Sequence, residues 1–192
     1  MGVANTGTRF SKFENLIKVE MSNATTIKEN AFVNCYNLLE ASIPNASIVQ
    51  STAFANCSSL TKANYPLASA VQKQGFYNCS TLSQVNLNEV NSIGPQAFEN
   101  CYSLKSINLS KCTLISTNTF SSCSNLQWSG IFGLGNLSSI GTKAFENCTA
   151  LDFVDIPKCA NAGSWPFSGC TNLKSLIFGI TSTNKSLFSG YD

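Results

Sequence analysis

The chain has no histidine among its 192 residues. That absence removes the imidazole base behind Ser-His and Cys-His nucleophiles and a common nitrogen ligand for metals, so most routes to catalysis near neutral pH are closed. Charge is scarce as well: 12 Lys and Arg stand against 10 Asp and Glu, 11% of the chain, for a net +2. No basic cluster is present that could follow a phosphate backbone, so nucleic acid is not an expected partner. No run of about 18 or more apolar residues occurs, so membrane insertion through a helix is not expected either. The opening stretch, MGVANTGTRFSKFENL, lacks the charged-then-apolar layout of a signal peptide. This fits a chain not exported by that route, or an expressed piece of something longer. The hydrophobic fraction of 43% is nevertheless ample for a core.

What the chain does have is a phenylalanine at a nearly constant interval: Phe10, Phe32, Phe54, Phe76, Phe98, Phe120, Phe145 and Phe167. Six of the intervals are 22 residues and one, from Phe120 to Phe145, is 25. A period of that size means one supersecondary unit stacked on copies of itself around a continuous core. With each phenylalanine as position zero, cysteine stands at plus three in seven of the eight units, and Phe13 stands there in the first. Leucine stands at plus six throughout, from Leu16 to Leu173. Plus nine is apolar except at Ser129, and plus eleven is always apolar, as in Ile43, Tyr65, Leu109 and Ile131. The alternation across plus eight to plus eleven is that of a strand with one buried face. Two further inward positions follow at plus fourteen and plus seventeen, and a helical turn is expected where the coil closes into the next Ala-Phe or Gly-Phe step. The three extra residues of the long unit are expected after Ile131, around Phe132-Gly133-Leu134-Gly135, as a looped-out bulge.

The string Ala97-Phe98-Glu99-Asn100-Cys101-Tyr102-Ser103-Leu104-Lys105-Ser106-Ile107-Asn108-Leu109, repeated with variation from about residue 10 to 180, resembles the leucine-rich repeat of the BspA-like (Treponema pallidum-type) family. The resemblance implies an α/β solenoid: a right-handed leucine-rich repeat of about eight coils with few or short helices and a parallel β-sheet on its concave side. Residues 1–9 would be a lead-in, 10–180 the solenoid, and 181–192 a cap in which Leu187, Phe188 and Tyr191 plug the open end. The family also implies a surface-exposed role in binding protein.

Nine cysteines invite a disulfide or metal reading. Seven share one ladder position, and Cys112 and Cys159 fall at plus fourteen among Ala, Val and Leu. Thiols stacked in parallel neither converge as a disulfide requires nor surround a metal tetrahedrally. Free, buried thiols are therefore expected, with no metal and no cofactor. Asn34, Asn56, Asn78, Asn100 and Asn147 form a second ladder at plus two. Its amides can bond to backbone and to one another, so the Asn-x-Ser/Thr triplets within it read as scaffold before they read as glycosylation sites. Scattered carboxylates such as Glu99, Glu146 and Asp152 read as solvated surface.

Positions plus eight and plus ten should face solvent on the strands. The first half of that face carries charges and amides; the second carries Trp128, Phe153, Asp155 and Ile177, with Phe132 in the bulge beside them. These five are the candidate ligand-binding residues, since exposed aromatics on a rigid sheet bury large area at low entropic cost. The bulge or a partner chain covering them as ordinary core is the competing reading. Two functions are carried forward. One is a non-catalytic protein-binding or adhesion module on a cell surface, or secreted as part of a longer protein, recognising a host protein or a glycan. The other is a phage virion or tail component that uses the solenoid as a receptor-binding or spacer domain. End-to-end stacking of coils leaves a homo-oligomer open.

Overall fold

The computed structural model describes residue 10 and residues 13–179, the Phe132 side chain excepted. The expected lead-in (1–9) and the plug of Leu187, Phe188 and Tyr191 lie outside the described residues. In chain order the strands are β1 (Lys18–Glu20), β2 (Glu40–Ser42), β3 (Ile48–Val49), β4 (Lys62–Asn64), β5 (Ala70–Val71), β6 (Gln84–Asn86), β7 (Ser92–Ile93) and β8 (Ile107–Asn108). There follow β9 (Leu114–Ile115), β10 (Ile131–Phe132), β11 (Ser139–Ile140), β12 (Phe153–Ile156), β13 (Asn161–Ala162) and β14 (Ser175–Phe178). Every strand pair is parallel and, outside the long unit, joins equivalent positions of successive coils, as in Lys18 with Glu40, Lys62 and Gln84 down the first sheet. The result is a parallel-strand solenoid of about seven turns with almost no helix.

The plus-eight to plus-eleven segments form one wall, with strand orders β1-β2-β4-β6, β8-β10 and β12-β14. A second wall of two-residue strands, β3-β5-β7 and β9-β11-β13, runs through plus sixteen and plus seventeen. The single apolar column at plus seventeen (Val49, Val71, Ile93, Ile115, Ile140) was its signal in the sequence. Two residues per coil are too few to show an alternation, which is why the sequence did not reveal a second sheet.

The third side explains the spacing of three between Phe, Cys and Leu. Cys57 N–H donates to the Phe54 carbonyl at 3.1 Å and Leu60 N–H to the Cys57 carbonyl at 3.0 Å, so consecutive β-turns step along the coil. The expected helical turn does not form here. From Asn30 to Trp165, each coil among the described residues holds a left-handed residue two places before its phenylalanine (φ 53° to 59°) and another two places after it. Left-handed backbone interrupts a right-handed helix. Asparagine tolerates that conformation better than most residues, which supplies a second reason for the ladder at plus two: Asn34, Asn56, Asn78, Asn100 and Asn147 have φ of 57° to 63°, and Gly169 ends the column at 72°. Their amides also bond as expected: Asn56 Nδ2 donates to Asn34 Oδ1 at 2.9 Å, Asn78 to Asn56 at 2.9 Å and Asn100 to Asn78 at 2.7 Å.

Inside, the phenylalanine rings lie in a column with centroids 4.9–5.7 Å apart and planes within 18° of parallel. The nine cysteines are free and buried. The plus-three thiols do more than fill space. Cys57, Cys79, Cys101, Cys123, Cys148 and Cys170 each point Sγ at the phenylalanine carbonyl of the preceding coil, at 3.0–3.2 Å. That carbonyl therefore accepts from a backbone N–H of its own coil and from the thiol of the next. Burial pushes the thiols up: Cys35 and Cys112 to about 11 and Cys170 to about 12.

Folded thiols that hold their protons above the ordinary thiol range stabilise the fold fully only below the unfolded value of about 8.5. Above it the unfolded chain releases protons that the folded chain keeps, and stability falls as pH rises toward 11–12. Urea midpoints followed by circular dichroism should accordingly drop between pH 8 and pH 11, and less steeply in a Cys101→Ala variant. A second prediction concerns Tyr65, which replaces an aliphatic residue at plus eleven and packs between Phe54 and Phe76 at 5.6 and 6.0 Å. Among the described residues its hydroxyl is the buried side-chain oxygen with no hydrogen-bond partner. Tyr65→Phe removes that desolvated group and should raise stability by about 1 kcal/mol in denaturant melts.

Candidate functional site on the strand face

The first wall presents plus eight and plus ten outward. Over β1, β2, β4 and β6 the face is a shallow groove of about 370 Å³ that extends to Ser106. Its charges pair among themselves. Lys18 Nζ lies 2.8 Å from Glu20 and 4.0 Å from Glu40, and Lys62 Nζ lies 3.4 Å from Glu40. All of these side chains are substantially exposed, so the pairs set the local field more than they stabilise the fold. At plus ten, Asn86 Nδ2 donates to Asn64 Oδ1 at 2.8 Å and Asn64 Nδ2 to Ser42 Oγ at 3.3 Å. Ala41 and Ala63 form the buried floor.

The second half of the face is built by the long unit, and here the structure corrects the expected place of the insertion. Ile131 pairs with Ile107, 24 residues earlier, and Ser139 pairs with Leu114, 25 earlier. Two of the three extra residues thus precede Ile131, in a 3-10 turn at Trp128–Gly130, and the third lies just after β10. The cause is Ser129. A hydroxyl at the inward plus-nine place would be buried without compensation. The chain turns Ser129 out to solvent and advances Ile131 into that place, where it is buried. Leu134, in a second 3-10 turn at Leu134–Asn136, is likewise buried and stands in the plus-eleven column, 25 residues after Leu109 and 22 before Ile156. Two glycines permit the detour: a methyl at Gly130 would overlap the Lys105 carbonyl, and one at Gly133 (φ 88°) would overlap the Ser110 backbone.

Trp128 therefore sits on the 3-10 turn instead of on a strand. It is half-buried, packs partly on the core, and meets Phe153 edge-on with ring centroids 6.4 Å apart. Phe153 opens β12 opposite Ser175, and Asp155 lies opposite Ile177 in β14. Phe153 is half-buried, Asp155 is exposed and Ile177 is 45% exposed. Phe132 contributes backbone to β10; its side chain is outside what the structure describes. The fold thus brings Trp128 and Phe153 together, with Asp155 and Ile177 on the adjoining strands. The groove over β1 to β6 was not among the sequence-derived candidates, although its outward columns were legible as charges and amides.

The family model for the BspA type leucine rich repeat region matches in 6 copies, over residues 7–127, 47–174 and 131–192. The chain belongs to this family. Among solved structures, this leucine-rich repeat is similar to a leucine rich cell surface protein from Faecalibacterium prausnitzii A2-165, with a TM-score of 0.75 and 24% identity over 88% of this chain and 48% of that one. It is also similar to the T. pallidum leucine rich repeat protein, with a TM-score of 0.60 and 22% identity over 84% of this chain and 66% of that one. A leucine-rich repeat protein from Bacteroides ovatus ATCC 8483 gives a TM-score of 0.57 and 20% identity over 89% and 57%. The chain thus spans from about half to two thirds of these relatives, and at these identities they establish the fold. No curated protein matches it. Among the described residues no helix is long and apolar enough to cross a membrane.

If the glycines hold the insertion in place, Gly133→Ala should destabilise the chain by about 2–4 kcal/mol, through a left-handed backbone and a backbone clash. Gly135→Ala, where a methyl meets nothing within 4 Å, should leave thermal melts nearly unchanged.

Proposed function

We propose that this chain is the binding region of a surface-exposed protein, acting without catalysis, and that it engages a protein ligand through the aromatic end of its strand face. The observation that carries the reading is the edge-on pair of Trp128, on its 3-10 turn, and Phe153, on β12, both half-buried and joined on the adjoining strand by the exposed Ile177. Large aromatic rings held by packing on one side give up little entropy when a partner covers the other, the recurrent composition of interface hot spots. Asp155, outward on the same strand as Phe153, supplies a charge at the rim. The family supports a binding scaffold, and the F. prausnitzii protein of like fold is described as a cell surface protein.

The test is a Trp128→Ala/Phe153→Ala double variant, assayed against a set of host extracellular proteins by surface plasmon resonance. Binding should fall at least about 30-fold, a loss of about 2 kcal/mol, while circular dichroism and the melt keep their cooperative shape. Undiminished binding by the folded double variant would place the contact elsewhere.

A further inference from the structure

We propose that the groove over β1, β2, β4 and β6 is a second subsite, for a neutral, hydroxyl-rich glycan. The inference rests on the strand face being the binding surface, but it uses side chains distinct from the aromatic end. Its volume of about 370 Å³ is at the low end of what ligand sites occupy, enough for a short segment of chain.

Charge selects among ligands first. Lys18 and Lys62 are matched by Glu20 and Glu40 at 2.8–4.0 Å, so the groove carries no net charge. A carboxylated or sulfated chain would meet a carboxylate beside each ammonium, and a basic peptide the reverse. Neither gains a complementary field.

Hydrogen-bonding capacity selects next. In the ladder Ser42–Asn64–Asn86, Asn64 uses one N–H and one oxygen lone pair internally, and Asn86 one N–H. Each amide keeps a second donor and a free lone pair. Side by side at strand spacing, such groups match sugar hydroxyls, which both donate and accept. Gln84, exposed on the neighbouring plus-eight column, adds another amide. A peptide is matched less well. The central strands are already paired on both edges, leaving no free edge there for strand addition, and the lining holds no aromatic, its apolar members being the small Ala41 and Ala63 of the floor and the half-buried Val85.

The experiment is a titration of the full, isotope-labelled chain with neutral gluco- and N-acetylglucosamine oligosaccharides, with a polygalacturonate as the anionic arm, read at the side-chain amides of Asn64, Asn86 and Gln84. A neutral oligosaccharide should shift these amides with an affinity insensitive to salt, and the polygalacturonate should not. Asn64→Ala/Asn86→Ala should weaken binding about tenfold or more. Gln84→Ala, on an exposed side chain outside the ladder, should weaken it several-fold with the melt unchanged, which covers the case of a destabilised double variant. Trp128→Ala/Phe153→Ala should bind the sugar normally, so loss of the protein ligand and loss of the glycan are read separately. The proposal is overturned if no neutral oligosaccharide moves these amides, if polygalacturonate binds as well as they do, or if sugar binding follows Trp128 and Phe153 instead of the groove.

Discussion

Each coil of this protein depends on the next to satisfy its backbone. A two- or three-residue strand has no stability of its own, and a left-handed turn leaves polar groups that its own coil cannot reach. Stacking in a constant register answers both needs. The Phe54 N–H, for instance, donates to the Gly75 carbonyl at 2.8 Å, and Cys79 points its thiol at the Phe54 carbonyl at 3.1 Å. Once register is constant, like residues lie above like: phenylalanine rings stack, asparagine amides chain together, and thiols form a row. The period in the sequence is the imprint of that bonding requirement.

The same constraint governs the one irregular unit. A solenoid tolerates extra residues only where the chain can leave the ladder and return to it without exposing the core. Ser129 could not enter the plus-nine column, so the departure is made there, and Gly130 and Gly133 allow the backbone to pass close to the coil before it. The detour lifts Trp128 off the strand and tips it against Phe153. The irregular unit thus sets how Trp128 meets Phe153 at the aromatic end of the strand face.

Two surfaces of opposite character share this face. At the N-terminal end, small inward residues and outward amides and paired charges make a neutral, hydrogen-bonding groove; at the other, apolar side chains cluster. Because consecutive coils stack on one another, both lie along one wall of the solenoid.

The sequence alone determined the period, the inward columns, the burial of nine unpaired thiols and the bonding of the asparagine ladder, because each repeats and stacking turns repetition into contact. It also marked Trp128, Phe153, Asp155 and Ile177 as outward, through simple alternation. What it left undecided is where local geometry overrides periodicity. The second wall of strands is too short to alternate. The left-handed residues around each phenylalanine include Thr52, Gln74 and Lys143, types that give no sign of that conformation. Gly133 and Gly135 point to an insertion after Ile131, yet burial selects Ile131 over Ser129 and sets two of the three residues upstream. Such choices are made by competition among whole side chains for a fixed number of inward places, and that competition exists only once the coils are stacked.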